Sequence, residues 1–383
     1  MEAEINSISE AADVLALFDV SIAGAGLAGE RRNARVLYLA LTSRLLERPV
    51  SVAIKGPPAG GKSFLLERVL AHFPSSAALK LSGMSEKSLI YTDENLAHRH
   101  IVLAEAQGAE GRMQSYFVRT LLSEGELVWH AVEQTREGTC TRTVRKTGPT
   151  GLILTTTRIE DEAEIESRML TLLANDTREQ TRSILRAVVC GETQRRVDDI
   201  WPAYQHWLAT GECRVVVPFA AALAERCSDR SVRMRRDIST ALSMVKAHAL
   251  LHRATRRRDE QGTIVATVDD YEAVRQLIAD ILAEGTDAAV SASVRQTVGA
   301  VLAHSADASC GVATVARALN IDLSSASRRC KSAVRAGFIE YRRESKWQAA
   351  NFRLVRAIPD DLAVLPSLQV ARRVPTTTNP ATE

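Results

Sequence analysis

The chain has 383 residues, of which 45% are hydrophobic and 25% charged, a composition typical of a soluble globular protein with two or three domains. No apolar run reaches the roughly 18 residues of a membrane span, and the N-terminus lacks the pattern of a secretory signal, so we expect a cytoplasmic protein. The net charge of +3 does not indicate a nucleic-acid partner for the molecule as a whole. Six widely spaced cysteines without a C-x-x-C pair predict neither a zinc site nor a disulfide framework.

Residues 1–46 are predicted to form a helical lead-in. Apolar side chains recur at helical spacing over residues 8–19 and again over 31–46, and a glycine-containing loop at 23–29 separates the two stretches. We expect these helices to pack on the domain that follows.

The strongest motif lies at residues 50–63, VSVAIKGPPAGGKS. An apolar run typical of a strand leads into a segment that fills every position of the phosphate-loop pattern G-x-x-x-x-G-K-[ST], and a helical pattern follows at once. The glycines let backbone N–H groups close around a phosphate at a helix N-terminus, the lysine reaches the β- and γ-phosphates, and the serine ligates Mg²⁺. We therefore predict a site for ATP or GTP with Mg²⁺, formed by Gly56, Gly60, Gly61, Lys62 and Ser63.

Residues 47–176 alternate between short β-rich runs and helical stretches. This alternation predicts an α/β fold with a parallel sheet. The candidate strands are 50–55, 78–81, 101–104, 152–156 and 169–173.

A phosphate loop requires an acid at the tip of a neighbouring strand, which helps to hold the Mg²⁺ shell and orients the attacking water. The run HIVLAE at 100–105 supplies Glu105. In the common form of this motif an aspartate precedes the glutamate, and Ala104 stands in that position here. We assign Glu105 as the catalytic acid; the simpler alternative is an exposed glutamate that caps a strand.

A β-hairpin is predicted over residues 126–146, as two β-like runs around a turn at 133–139. It is either a loose edge hairpin with solvated charges or a DNA-contacting hairpin in the pore of a ring, whose basic side chains follow the phosphate backbone without reading sequence. The basic residues are Arg136, Arg142, Arg145 and Lys146.

From residue 177 to 288 amphipathic helices follow one another, a block that resembles the lid of an AAA+ ATPase. The predicted helices are 178–189, 219–225, 231–252 and 269–284.

Residues 289–357 show three helical patterns and then two β-like runs, which predicts a winged helix. The helices are expected at 294–303, 311–319 and 324–335, and the strands at 338–343 and 351–354. Such a domain either contacts DNA or serves as a protein docking module, and its candidate DNA contacts are Arg328, Lys331 and Arg335. The polar, Pro/Thr-rich tail at 358–383 is expected to be disordered.

The order of these parts resembles the AAA+ helicases of the minichromosome-maintenance (MCM) type, and more closely the compact MCM-like ATPases of phages and integrative elements. The resemblance covers about residues 30–285 and is based on GPPAGGKS, HIVLAEAQG, LLSEG, the hairpin, LILTTT, EIESRMLTLLANDTREQT and SVRMRRD. It implies an AAA+ core with a helical lid, ATP and Mg²⁺ as cofactors, and a hexameric ring around DNA.

The resemblance also implies roles for individual residues. The sensor of the γ-phosphate falls on Thr156 or Thr157, and the family's S-R-F finger falls on SRM, so Arg168 would complete a neighbour's ATP site. The second sensor falls on Arg233, next to Arg235 and Arg236. Without the resemblance, Arg168 is an ordinary helix-terminal arginine and the lid arginines form a solvated face.

Taken together, the motifs and the resemblance favour an ATP-driven DNA translocase, such as the replicative helicase of a prophage or other mobile element. One alternative is an AAA+ switch, an initiator or regulator that assembles on DNA without unwinding it. Another is a remodeller of a protein partner, in which Trp129 and His130 act in the pore. The stretch before residue 50 is too short for the N-terminal DNA-binding domain of the larger helicases, and no primase motif is visible, so a separate loader or primase is a candidate partner.

Overall fold

The computed structural model of the protein describes residues 2–81, 91–103, 112–135, 138–157, 168–175, 177–191, 197–227, 233–284, 292–304, 310–342, 351–355 and 364–368. Within these ranges, none of the helices combines the length and the hydropathy that crossing a membrane requires.

Three helices precede the first strand, α1 (Glu2–Ser9), α2 (Val14–Gly24) and α3 (Arg31–Thr42). The helix predicted over 8–19 is wrong as a single element, because Asp13 interrupts it. The Asp13 carboxylate accepts a hydrogen bond from the Ala16 N–H at 2.9 Å and so caps the start of α2.

The strands before residue 177 are β1 (Val52–Lys55), β2 (Ala78–Leu81), β3 (Arg99–Leu103), β4 (Glu126–Thr135), β5 (Gly138–Thr147), β6 (Thr150–Thr156) and β7 (Leu170–Leu173). Among the described residues, five of them form a parallel sheet in the order β2-β3-β6-β1-β7. The predicted parallel α/β sheet is confirmed, and each of its predicted strands is present. These strands are recognisable in sequence because a sheet covered on both faces needs near-continuous apolar runs.

Helix α4 (Lys62–Leu70) follows β1, and α5 (Arg112–Glu124) leads into the hairpin β4–β5. The turn predicted at 133–139 is wrong in length, because the two strands pair from Glu126↔Thr147 to Thr135↔Gly138. The paired strands therefore extend further toward the tip than predicted, whereas the predicted bounds of the hairpin, 126–146, agree with the structure to within one residue.

The helical block contains α6 (Arg178–Val189), α7 (Ile200–Thr210), α8 (Ala220–Arg226), α9 (Met234–Leu251) and α10 (Val268–Glu284). A short parallel pair, β8 (Val215–Val216) and β9 (Ile264–Val265), lies beside them. The sequence did not predict α7. Two of its four buried residues are aromatic and one is Gln205, and Pro202 lies in its first turn, where the missing N–H costs no hydrogen bond.

One continuous hydrophobic core joins the N-terminal helices, the sheet and the helical block. A buried polar network crosses this core, in which Gln205 of α7 donates to the Tyr38 hydroxyl and the Thr42 Oγ1, each at 3.0 Å. The Arg44 guanidinium donates to the Oε1 of the Gln205 side chain at 2.9 Å. Because a buried polar group is costly unless it is paired, this network fixes how α3 and α7 face each other.

A separate core holds the C-terminal elements α11 (Ala292–Ala303), α12 (Val312–Ala318), α13 (Leu323–Arg335), β10 (Ile339–Arg342) and β11 (Asn351–Leu354). The two strands pair antiparallel, from Ile339↔Leu354 to Arg342↔Asn351. Three helices followed by an antiparallel pair is the order of elements that the sequence predicted.

The tail predicted to be disordered folds back over five of its residues, 364–368, and that prediction is wrong for them. Val364, Leu365 and Leu368 are buried in the main core. The Tyr271 hydroxyl donates to the Pro366 carbonyl at 2.6 Å, and Glu272 accepts from the Leu368 N–H at 3.0 Å. The chain that leaves the C-terminal unit is therefore attached again to α10.

Three buried histidines should make stability depend on pH. Burial lowers the pKa of His72, His100 and His252 to about 4, from an ordinary value of 6.5. Each folded-state pKa lies below the unfolded value, so the unfolded chain binds more protons between pH 6.5 and 4. Stability is fully present above pH 6.5 and is lost as the pH falls through this window.

We expect the free energy of unfolding to fall between pH 7.5 and pH 5 by about 1–2 kcal/mol for each of the three histidines. Denaturant titrations at the two pH values measure it. His100→Gln should reduce the difference, whereas the exposed His206→Gln serves as a control that leaves it unchanged. Equal stability at both pH values would contradict this account.

Candidate functional site

The phosphate-loop segment lies at the carboxyl end of β1, between the ends of two neighbouring strands. Lys55, the last residue of β1, is in register with Thr156 of β6 on one side and Leu173 of β7 on the other. The Gly56 N–H donates to the Thr156 carbonyl at 3.3 Å, and the Ala174 N–H donates to the Lys55 carbonyl at 2.8 Å. Ligands of parallel sheets bind at this edge, where strand ends diverge.

The loop passes so close to its neighbours that glycine is required at two positions. A Cβ atom on Gly56 would lie 2.9 Å from the Cβ of Ala174, and one on Gly60 would lie 2.9 Å from the Pro57 carbonyl oxygen. Gly61 has φ of 80° and forms the N-cap of α4. The loop is thus a tight cradle that opens onto a helix N-terminus.

The donors of this cradle suit a nucleotide phosphate with Mg²⁺. The first N–H groups of α4 have no partner within the helix, and its dipole favours an anion there. The Lys62 ammonium donates to the carbonyls of Gly56 at 3.0 Å and Pro57 at 2.8 Å, so it lies over the loop. Ser63 is exposed in the first turn, where its hydroxyl can ligate a cation. These residues fit the group that the motif predicts.

The chain that follows β7, next to Gly56, is held in place by two polar residues at the start of α3. The Glu30 carboxylate accepts from the Asn175 N–H at 2.7 Å and from the Asn33 amide at 2.7 Å, and Asn33 also donates to the Leu173 carbonyl at 2.9 Å. Burial raises the pKa of Glu30. Glu30 and Asn33 belong to no motif, so sequence reasoning missed them; their only signal was a polar pair at the start of a helix.

Of the strand-end residues predicted to sense the γ-phosphate or to activate the attacking water, the structure describes Thr156 and Thr157. Thr156 ends β6 in a buried position beside Gly56, whereas Thr157 lies beyond the strand and is exposed. Glu105 lies outside the described residues. The strand before it, β3, ends at Leu103, at the same edge of the sheet.

Arg168 lies at the opposite edge of the sheet from the phosphate loop. It precedes β7, and the Leu170 N–H donates to the carbonyl of Ser51, the residue before β1. The Arg168 guanidinium donates to the hydroxyl of Ser123 at the end of α5. The length of β1, about 13 Å, therefore separates Arg168 from the loop of its own chain.

Arg168 lines a cleft of about 300 Å³ that also contains arginines from the start of α9, but not the predicted Arg233. Arg235 and Arg236 line this cleft. Arg233 precedes the first turn of α9, and its Nε lies 3.5 Å from the Asp237 Oδ1. Burial raises the pKa of Asp237, and the Arg233 guanidinium opposes that rise. The sequence placed the start of this helix at residue 231, three residues too early.

The basic residues of the hairpin do not share one face. Cross-strand pairing places Arg142 opposite Ala131 and Lys146 opposite Leu127, on the face that packs on α5. Arg145 lies on the other face, 2.8 Å from Glu126. The Lys146 ammonium donates to the Thr92 carbonyl and so helps to hold the hairpin base. Arg136 lies outside the described residues.

Trp129, proposed above as a pore aromatic, packs against the domain instead. Its ring meets the Phe117 ring edge to face, with centroids 5.0 Å apart. His130 lies on the opposite, exposed face, where its Nδ1 is 3.0 Å from the Thr143 hydroxyl. On the hairpin, His130 is therefore accessible to a binding partner, whereas Trp129 is engaged by Phe117.

The basic residues of α13 do share one face. Arg328, Lys331 and Arg335 are exposed at helical spacing, while Ala326, Cys330 and Ala333 are buried on the other side. Asp322 caps the helix by accepting from the N–H groups of Ser324 and Ser325, each at 2.9 Å. Residues 343–350, between the two strands of this unit, lie outside the described residues.

A buried cluster of His248, His252 and Asp270 has the residue types of a metal site but is already engaged. Asp270 accepts from His248 Nδ1 at 2.7 Å, from the Arg256 guanidinium at 2.6 Å and from the Thr267 N–H at 2.7 Å. A guanidinium on the carboxylate disfavours a second cation. The cluster therefore joins α9 to α10 as an ion-pair network.

No family model matches the sequence, and no curated protein matches it. Among solved structures, the chain is similar to a full-length MCM homolog from Methanopyrus kandleri, with 14% identity and a TM-score of 0.49. The match covers 72% of this chain and 60% of that one, so the chain spans less than two thirds of the length of that protein. A likeness of this size establishes no shared activity, and the proposals below are based on the residues of this chain.

Replacing Gly60 with alanine should weaken nucleotide binding about tenfold, because the added Cβ would push the loop backbone away from the Pro57 carbonyl. Titration with a fluorescent ATP analogue measures the affinity. Gly299→Ala is a matched control, since among the described residues no atom beyond its chain neighbours and its own helix backbone lies within 4 Å of the added Cβ. Unchanged affinity in Gly60→Ala would show that the loop tolerates a side chain and does not close around phosphate.

Proposed function

We propose that this chain is an ATPase whose catalytic site is completed by a neighbouring copy, and that it uses hydrolysis to move along DNA. The observation that supports this most is the placement of Lys62 and Arg168 at opposite edges of one sheet. Since about 13 Å of β1 separates them, Arg168 can reach a triphosphate only on another chain.

Each side chain then has a distinct task. Lys62 and the N–H groups of α4 bind the phosphates, and Ser63 positions Mg²⁺, which when bound offsets charge on the β- and γ-phosphates. Glu105 takes the proton of the attacking water, and Thr156 orients the γ-phosphate. Arg168 of the next copy stabilises the charge that spreads over the transferred group, an effect worth 10³–10⁵ in rate where such arginines are known.

Repetition of one head-to-tail contact generates a ring when its rotation closes. In the proposed assembly every copy offers its phosphate loop to one neighbour and its arginine cleft to the other. The hexamer is proposed from the resemblance in motif order to MCM-type helicases, and ATP rather than GTP from the same source.

DNA binding is proposed at two places, on the α13 face and on the hairpin. The α13 face offers three exposed cations at helical spacing, as a helix of a winged-helix domain does when it follows phosphates or a groove. The hairpin offers Arg142 and Arg145, both exposed, on its two faces. Lys146 has a supporting role there, through Thr92.

One observation favours a second candidate, a switch that assembles on DNA through ATP without unwinding it. Because the hairpin cations lie on different faces, they do not form a single stripe along one strand, whereas the α13 cations do share a face. In the switch, ATP binding would control assembly and α13 would supply the DNA contact.

Strand displacement on a forked DNA duplex with ATP separates the two functions. We expect the wild-type protein to release the strand. Glu105→Gln should lower this activity tenfold or more because hydrolysis is lost, and Arg142→Ala/Arg145→Ala should lower it as much because the hairpin loses its DNA contacts. Arg257→Ala, an exposed arginine outside both surfaces, is the matched control.

ATP hydrolysis and DNA binding without strand release would contradict the translocase. If hydrolysis also survived in Arg142→Ala/Arg145→Ala while Arg328→Ala/Lys331→Ala lost DNA binding, the switch would be the better account.

A further inference from the structure

One carboxylate beside the phosphate loop does not serve the helix on which it lies. Glu30 occupies the N-cap position of α3, where serine, threonine, aspartate or asparagine normally caps a helix, but its side chain makes no capping hydrogen bond. It reaches instead to the chain after β7, 145 residues further on, and accepts from the Asn175 N–H at 2.7 Å. The acid is therefore placed for a distant contact rather than for helix formation.

The carboxylate is costly to keep at this position. Only 8% of Glu30 is exposed, and burial raises its pKa because desolvation disfavours the charged form. The hydrogen bonds from the Asn175 N–H and the Asn33 amide oppose that rise. A buried acid with hydrogen-bond partners of this kind is typical of the groups that hold functional residues in position.

Two further contacts extend the hold of segment 28–33, which we call the acid clamp. The Asn33 amide donates to the Leu173 carbonyl at 2.9 Å. The side-chain amide of Gln180, in the first turn of α6, donates to the Ala28 carbonyl at 2.5 Å. The acid clamp thus holds the chain from the end of β7 to the start of α6.

The residue at the centre of this stretch, Ala174, contacts the phosphate loop. Its N–H donates to the carbonyl of Lys55, the last residue of β1, at 2.8 Å. Its Cβ lies so close to Gly56 that a Cβ added there would be 2.9 Å away. Because closely packed atoms transmit displacements to one another, the position of Ala174 determines where the loop begins.

We propose that Glu30 is a positioning residue for nucleotide binding, which acts through Asn175 and Ala174 on Gly56. This inference rests on the proposed function, since it assigns a residue to the same phosphate loop. Glu30 holds the loop in its phosphate-binding form before the nucleotide arrives, so that binding does not have to order the loop. Its partners are backbone and amide groups, which do not react, so its effect is on affinity rather than on the chemical step.

Titration with a fluorescent ATP analogue and steady-state hydrolysis test this role. Glu30→Gln keeps the size of the side chain but turns one acceptor into an NH₂ group that faces a donor, so a hydrogen bond of the acid clamp is lost. We expect its affinity for the analogue to fall about tenfold, while its hydrolysis rate at saturating ATP stays within about threefold of wild type. Glu179→Gln, at an exposed acid in the first turn of α6, is the matched control.

A double-mutant cycle measures whether Glu30 and Asn33 act as one unit. Asn33→Ala changes a half-buried position, so it perturbs the core less than a change at Glu30, and it should weaken binding to a similar extent. Glu30→Gln/Asn33→Ala should bind about as weakly as the weaker single variant, rather than about a hundredfold more weakly than wild type. Tyr204→Phe removes a buried hydrogen bond to the Leu251 carbonyl elsewhere in the core, and should lower the melting temperature without weakening binding.

The outcomes separate the two proposals. Failure of the wild-type protein to bind the analogue would overturn the proposed function and this inference with it. Binding by wild type with unchanged affinity in both Glu30→Gln and Asn33→Ala would overturn only the role of the acid clamp. Two other results would do the same: an equal loss of affinity in Tyr204→Phe, which would mean that binding follows global stability, or a lower hydrolysis rate in Glu30→Gln at unchanged affinity.

Discussion

The parallel pairing of β1 between β6 and β7 is the constraint on which the rest of the protein depends. It brings the carboxyl ends of the strands together, where Gly56 contacts Thr156 and Ala174 and the phosphate loop opens onto α4. The same pairing sends the amino ends to the other edge, where Arg48 and Arg168 share a cleft. A parallel sheet has two chemically different edges, and here one carries the close-packed glycine-rich loop and the other a cleft lined by arginines.

The continuous core explains how these edges are kept in position. Helix α3 is buried against the sheet and the helical block, and the Gln205 network fixes it to α7. Glu30 and Asn33 at the start of α3 hold the chain after β7, which lies against Gly56 of the loop. The returning segment 364–368 attaches the C-terminal unit to α10 of the same body. The central strands, the helical block and the returning segment thus share one packed core.

Local patterns were enough to predict the sheet, the position of the glycine-rich loop between β1 and α4, and most helices, because buried strands and amphipathic helices have a period that a few residues display. They failed where contacts between residues distant in sequence determine the local structure. Helix α7 buries Gln205 beside two aromatic residues, so its apolar period is weak. Arg233 precedes α9, which begins at Met234, and is not among the described residues that line the cleft. Segment 364–368 packs on Tyr271 and Glu272, about 95 residues earlier. The faces of Arg142 and Arg145 depend on register, which a one-residue slip would reverse.

The central claim is that one ATP site contains residues of two copies. The most direct measurement is an experimental structure of the protein assembled with ADP and aluminium fluoride, a mimic of the phosphoryl group in transfer. We predict that the fluoride will lie within hydrogen-bond distance of Lys62 from one copy and of Arg168 from the next. A bound nucleotide whose phosphates contact only their own chain, with Arg168 facing solvent, would contradict the account.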